Sequence, residues 1–124
     1  MAKSVHNDVL DAALNYIKTN GTLMTVCSTE PTTYAEASST YKLADVVIDS
    51  SDFTGPADDS SGRKLTTTEQ ASVSVDSSGT AAHIAICDSG NSKLLYVTTC
   101  TSQALTAGNT VTIPAWKVNI QDPT

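Results

Sequence analysis

The sequence of 124 residues has the length of one small domain, and 40% of its residues are hydrophobic while only 5% are aromatic. The core must therefore be built mainly from Ala, Val, Leu and Ile. A formal net charge of -6, with 7 scattered lysines and arginines, argues against nucleic-acid binding, which depends on basic side chains facing phosphates. No apolar run approaches the roughly 20 residues needed to cross a bilayer, and the N-terminus lacks a secretory pattern. We therefore expect a protein without membrane contact that is made and kept in the cytosol or leaves it only as part of something else.

The first predicted element is an amphipathic helix from Asn7 to Thr19. Its apolar residues follow the i, i+3, i+4, i+7 spacing of one buried helix face, namely Leu10, Ala13, Leu14 and Ile17. Asn7 is the expected N-terminal cap. Asn20 and Gly21 are expected to end the helix in the left-handed conformation. The preceding residues, including His6, are predicted to form a mobile arm.

After Gly21 the chain consists of short β-branched runs separated by Gly, Pro, Ser and Asp, which predicts an all-β body. Eight strands are expected: Leu23–Ser28, Tyr41–Ile48, Lys64–Thr68, Ser72–Asp76, Thr80–Asp88, Leu94–Cys100, Asn109–Ile113 and Trp116–Gln121. Turns at residues 76–79, 88–92 and 107–109 have hairpin lengths, so we expect consecutive strands to pair antiparallel.

Burial can be predicted for three of these strands. Val73 and Val75 alternate with polar residues, and Trp116, Val118 and Ile120 do the same, which is typical of half-buried strands. Residues 81–87 are apolar at both parities except for His83, which predicts a central strand covered on both faces.

Two longer connections separate the strands. Asp49 to Gly62 is rich in Ser, Asp, Gly and Pro and is interpreted as a long exposed loop. Thr29 to Thr40 is a second connection, in which Tyr34–Ala37 is expected to form one helical turn. The predicted fold is mainly β: an antiparallel sandwich, jelly-roll or immunoglobulin-like, in a single domain of residues 1–124. In it, residues 1–21 form the arm and helix and residues 22–124 form the body.

The sequence offers no catalytic, cofactor-binding or metal-binding residues. The cysteines, Cys27, Cys87 and Cys100, are odd in number and lie in strand-like runs, so we expect buried thiols rather than disulfides or zinc ligands. His83 is interpreted as a hydrogen-bonded core or interface histidine. Cys87 shares its strand face but lies ~13 Å away, too far for the two to act together.

The densest carboxylates do not have the spacing of a calcium loop and are interpreted as a solvated acidic loop; they are Asp45, Asp49, Asp52, Asp58 and Asp59. Trp116, which follows Pro114, is either a binding anchor or a core residue. Its parity with Val118 and Ile120 favours the core.

The order of strand and turn segments in the chain resembles that of small structural proteins encoded among the virion genes of tailed bacteriophages and prophages. The resemblance rests on residues 79–88 (GTAAHIAICD), 93–99 (KLLYVTT), 105–116 (LTAGNTVTIPAW) and 118–120 (VNI). Residues 7–17, 24–28 and 30–36 near the N-terminus extend it. It implies a virion component, either a head decoration protein or a tail or fibre-associated piece, and carries over no active-site residues.

The expected function is therefore non-enzymatic: a capsid decoration or cementing protein that binds the major capsid protein or neighbouring virion subunits. Such a part would be assembled in the host bacterial cytoplasm, without cofactor, as a symmetric homo-oligomer of three or five copies. Two alternatives remain at this point. One is a tail or fibre-associated adhesion module, and the other is a small carbohydrate-binding protein or hydrolase centred on His83 or the acidic residues.

Overall fold

A computed structural model describes residues 3–123. It contains α1 (Asn7–Asn20), β1 (Leu23–Cys27), a short π-type helix (Glu36–Thr40), β2 (Lys42–Val47), a 3-10 turn (Ser50–Asp52), β3 (Phe53–Asp58), β4 (Arg63–Thr67), β5 (Gln70–Ser74), β6 (Gly79–Asp88), β7 (Lys93–Leu105), β8 (Thr110–Ile113) and β9 (Lys117–Ile120). The predicted mainly β fold with one N-terminal α-helix and antiparallel sheets is confirmed. Within the described residues, no helix is both long and apolar enough to span a membrane.

Helix α1 begins where the sequence predicts, but its cap is different. Nδ1 of His6 accepts the backbone N–H of Asp8 at 3.1 Å, so His6 rather than Asn7 caps the helix and the residue is not part of a free arm. Leu10, Leu14 and Ile17 are buried as predicted. The prediction for Ala13 is wrong, because the strands cover only a narrow stripe of the helix and leave this side chain exposed.

Gly21 ends the helix for a reason that the sequence did not reveal. Its φ of -73° is not left-handed, so the expected conformation is wrong. Its N–H donates to the carbonyl of Ile17 at 2.7 Å. A Cβ at this position would lie 2.7 Å from that oxygen and 2.9 Å from Cγ2 of Ile86. Glycine is therefore required by the close approach of the helix end to the sheet.

The first sheet has the strand order β2-β1-β6-β7, with every neighbour antiparallel. Strand β6 lies in its centre, and both of its faces are covered, as predicted. Ile84 and Ile86 belong to the main hydrophobic core. Ala85 and Cys87 lie in a smaller cluster with Ala37 of the π-type helix.

The remaining strands form a second layer. Here β3, β4 and β9 form one sheet and β5 and β8 another. Strand β4 pairs with β9, and the next strand, β5, pairs with β8, the strand that precedes β9. The two sheets are therefore parts of one interrupted antiparallel ladder.

Helix α1 contacts β3, β4, β6 and β9. The core between these elements includes side chains from both layers, among them Leu14, Met24, Leu65, Ile86 and Val118. Val73 of β5, Val75 just after it and Val118 of β9 are buried as the alternation predicts.

A connection between β2 and β5 joins the two layers. Ala44 and Val75 form an isolated antiparallel bridge, and the N–H of Asp76 donates to the carbonyl of Leu43 at 2.7 Å. The strands therefore follow one another as β7-β6-β1-β2-β5-β8, in a curled succession whose two ends, β7 and β8, do not pair.

Of the expected consecutive pairings, β1–β2 and β6–β7 are correct and the others are wrong. The consecutive pair β3–β4 was not expected, because β3 was not predicted. The turns at residues 76–79 and 107–109 connect strands of different sheets. The distant pairings β1–β6, β4–β9 and β5–β8 replace the expected hairpins, because they bury apolar faces from both ends of the chain in one core.

The prediction of a long exposed loop from Asp49 to Gly62 is also wrong. This segment contains the 3-10 turn and β3, whose Phe53 is only 4% exposed. Its ladder with β4 is irregular between Thr54 and Ala57, so the sequence has no clean alternation there. In the second connection, the π-type helix overlaps the predicted Tyr34–Ala37 turn and extends to Thr40.

Candidate binding cleft

A cleft of about 400 Å³ opens between β7 and β8, the two unpaired ends of the strand succession. One wall consists of β7 residues between Thr98 and Leu105. The other comprises β8 from Val111 onward and the turn that leads to Trp116 and Lys117. Ile84 of the main core also lines it. The cleft therefore connects two free strand edges with the hydrophobic interior.

Strand β7 is longer than the predicted Leu94–Cys100 and reaches Leu105. His83 of β6 pairs with Thr99, whereas Ala81 pairs with Gln103, so β7 carries two additional residues over this stretch. They form a bulge beside the cleft, which bends the strand away from a regular ladder.

Trp116 lies half-buried in the opposite wall. Its ring stacks on Tyr96, with centroids 6.0 Å apart and an interplanar angle of 24°. Its indole Nε1 is buried without a hydrogen-bond partner within the described residues. Trp116 packs against the core, as its parity predicts, and it also lines the cleft.

The cleft is almost free of charge. The sequence has no charged side chain from Leu94 through Trp116, a stretch that covers both walls. Lys117 is the one cation among the lining residues, and its Nζ lies 2.6 Å from Oδ2 of Asp59. This hydrogen bond holds the pKa of Asp59 below its usual value. The cleft therefore favours an uncharged ligand, since a charged one would lose hydration without gaining a free counter-charge.

The cysteines behave as hydrophobic residues. Cys27 and Cys87 are buried, as predicted, while Cys100 is half-buried and lines the cleft; all three are free thiols. Burial raises the pKa of each thiol, and raises that of Cys87 to about 11. They are thus protonated near neutral pH and are weak nucleophiles.

The two histidines lie in different elements of the fold. His6 caps α1 and is exposed, whereas His83 lies in β6 opposite Cys27 and Thr99. The expectation of a hydrogen-bonded His83 is wrong for Nδ1, which is buried and has no partner among the described residues. His83 and Cys87 lie four residues apart on β6, as predicted, and do not form a joint site.

The five aspartates expected to form a solvated acidic loop each have a partner within the chain. Asp49 and Asp58 are exposed, as expected of solvated residues, whereas Asp45, Asp52 and Asp59 are half-buried. Asp58 pairs with Arg63 at 2.6 Å, and Asp59 pairs with Lys117. Asp52 accepts from Gln70 at 3.1 Å. Asp49 caps the 3-10 turn, and Asp45 lies 3.4 Å from Lys42. Among residues 3–123, no group of three or more His, Cys, Asp or Glu is placed to hold a metal ion.

No family model matches this sequence, and neither a curated protein nor a solved structure matches it.

Sequence reasoning identified Trp116 as a candidate but missed the cleft. The cleft forms because β7 and β8 each lack a partner on one edge within the described part of the chain. Hydrophobic periodicity does not reveal which strand edges stay without a partner. One signal was present: the long stretch without charge from Leu94 to Trp116. Edge strands of soluble proteins usually carry charged residues or proline that prevent association.

Proposed function

We propose that this chain is a non-enzymatic structural protein of a tailed-bacteriophage particle, and that it binds the head as a decoration protein which strengthens contacts between major capsid subunits. The observation that carries the proposal is the pair of uncharged strand edges on either side of the cleft. Free edges of this kind pair with strands of other chains. The resemblance of the sequence to small virion proteins supplies the class of particle.

Particle composition tests this proposal directly. Virions purified by density gradient should contain the chain, and imaging should locate it in many symmetry-related copies on the head. Absence of the chain from purified virions would contradict the structural role. Copies confined to the tail or fibres would contradict the head assignment and favour the fibre-associated alternative.

A pair of variants connects this proposal with the cleft. Thr101 and Ser102 are neighbouring exposed residues of β7, but only Thr101 lines the cleft. In particles assembled with Thr101→Lys, the number of copies per virion should fall, because the added charge must be desolvated at the subunit contact. Ser102→Lys is the matched control and should leave the copy number unchanged. Equal occupancy by both variants would exclude the cleft from the contact.

A further inference from the structure

We propose that the cleft between β7 and β8 binds an uncharged, extended polypeptide segment of a different protein, which inserts as an added strand between the two edges. The identity of that protein as a virion subunit rests on the function proposed above. The binding mode itself rests only on the geometry of the cleft.

The backbone of the two walls supplies the first argument. Among residues 3–123, strand β7 pairs only with β6, and β8 pairs only with β5. The outer edge of each strand therefore presents N–H and C=O groups without strand partners. An extended peptide carries the same groups on both of its sides, so it can pair with β7 and β8 at once. In the antiparallel succession these strands run in opposite directions, and an inserted strand would be antiparallel to one and parallel to the other.

The protection of other edges supplies the second argument. Strand β3 is an edge of the β3-β4-β9 sheet. It contains Pro56, a ladder irregularity after Thr54 and the charged Asp58. These are devices that discourage strand addition. From Leu94 to its end at Leu105, β7 contains neither charge nor proline, although its ladder with β6 is irregular at Leu95 and at residues 100–102. Its edge is thus the less protected one.

The lining of the cleft defines the side chains that the inserted segment needs. Ile84, Ile113 and Trp116 provide an apolar interior, and threonines such as Thr101 and Thr112 are exposed. Successive residues of a strand point to opposite sides. A matching segment therefore has apolar residues at alternate positions and small polar residues between them, without charge. The volume of about 400 Å³ lies in the range of roughly 300–1,000 Å³ that is usual for ligand-binding pockets.

The only tryptophan of the chain lines the cleft and reports on its occupancy. The probe is a capped pentapeptide of alternating valine and threonine, titrated into the full-length protein while the Trp116 emission is recorded. We expect a saturable change in emission. The same peptide with N-methyl groups at alternate residues should give no change, because it lacks backbone donors on one side.

Three outcomes would overturn the proposal. The first is no emission change with the unmodified peptide up to millimolar concentration. The second is equal binding of the N-methylated peptide, which would indicate apolar adsorption without strand pairing. The third is an emission change on diluting the protein alone, together with a halved mass in solution, which would show that a second copy of this chain occupies the cleft.

A variant pair locates the binding. Thr112 and Thr110 are both exposed residues of β8, but only Thr112 lines the cleft. Thr112→Lys should weaken peptide binding about tenfold or more, because the ammonium group would be partly desolvated beside an uncharged ligand. Thr110→Lys should bind like the parent protein, and equal weakening by both variants would place the peptide elsewhere.

Peptide binding by a chain that is absent from virions would refute only the proposed function. The chain present in virions without peptide binding would refute only this inference.

Discussion

Thr67 and Trp116 are joined by three hydrogen bonds at the point where the long ladder of the second layer is interrupted. The N–H of Thr67 donates to the carbonyl of Trp116 at 2.7 Å. The Thr67 hydroxyl accepts from the Trp116 N–H at 3.1 Å and donates to the same carbonyl at 3.2 Å. A side chain thus replaces a missing backbone partner, and it fixes the backbone of the tryptophan in the cleft wall.

Thr67→Val should therefore destabilise the protein and shift the Trp116 emission. The replacement keeps the shape of the buried side chain but leaves the Trp116 N–H without its partner, which costs about 1–3 kcal/mol. Urea unfolding followed by fluorescence measures both effects. Thr66→Val, on the same strand, is the control and should change neither property. An unchanged unfolding midpoint for Thr67→Val would show that the hydroxyl does not contribute.

Gly21→Ala should destabilise the protein by about 1–3 kcal/mol, because the new methyl group would overlap the Ile17 carbonyl and Ile86. Backbone conformation is not the cause, since alanine adopts a φ of -73° without strain. Gly90→Ala is the control, because the nearest atom to its Cβ is Oδ1 of Asp88 at 3.5 Å. Thermal unfolding measures the difference. Similar melting temperatures for the two variants would contradict the role assigned to the close approach.

The stability contributed by Asp88 should depend on pH. Its carboxylate accepts hydrogen bonds from the side-chain amide of Asn91 and from the backbone N–H groups of Asn91 and Gly90 in the β6–β7 turn. These bonds, the Asn91 side chain foremost, lower its pKa below the ordinary value of 3.8. Because the pKa is lower in the folded state, this stabilisation is fully present above that ordinary value and is lost as the pH falls through the folded-state pKa.

Asp88→Asn should consequently lower the urea midpoint at pH 7, and the difference from the parent protein should shrink below the pH at which Asp88 is protonated. Midpoints measured between pH 7 and pH 2 test this. Glu69→Gln, at an exposed position, is the control. A difference that stays constant over the whole pH range would show that the effect does not come from the charge.

Thiol labelling should separate the three cysteines. Cys100 is half-buried, whereas Cys27 and Cys87 are buried, so a maleimide at neutral pH should modify Cys100 slowly and the others only after unfolding. Mass spectrometry of the folded protein should show one adduct, against three in denaturant. Rapid labelling of Cys87 in the folded state would contradict both its burial and its raised pKa.

The sequence predicted well those features of the fold that depend on local residue patterns. Leu10, Leu14 and Ile17 define the buried face of α1 because their spacing follows the helical period, and the apolar run of β6 indicates a central strand. Strand β3 escaped prediction because Gly55 and Pro56 interrupt its pattern. The cleft escaped it because an edge is a property of the whole sheet, set by pairings between residues as distant in sequence as Leu23 and Cys87.

The same distant pairings determine when the protein can fold. Arg63, the first residue of β4, pairs with Ile120, the last residue of β9. The second layer therefore remains incomplete until almost the whole described chain has left the ribosome. Closing such long loops before any contact forms makes folding slow compared with helical proteins of similar size. Until then, the strands already made, including the uncharged β7 and β8, lack part of the cover of their apolar faces, and during that interval the nascent chain is most susceptible to aggregation.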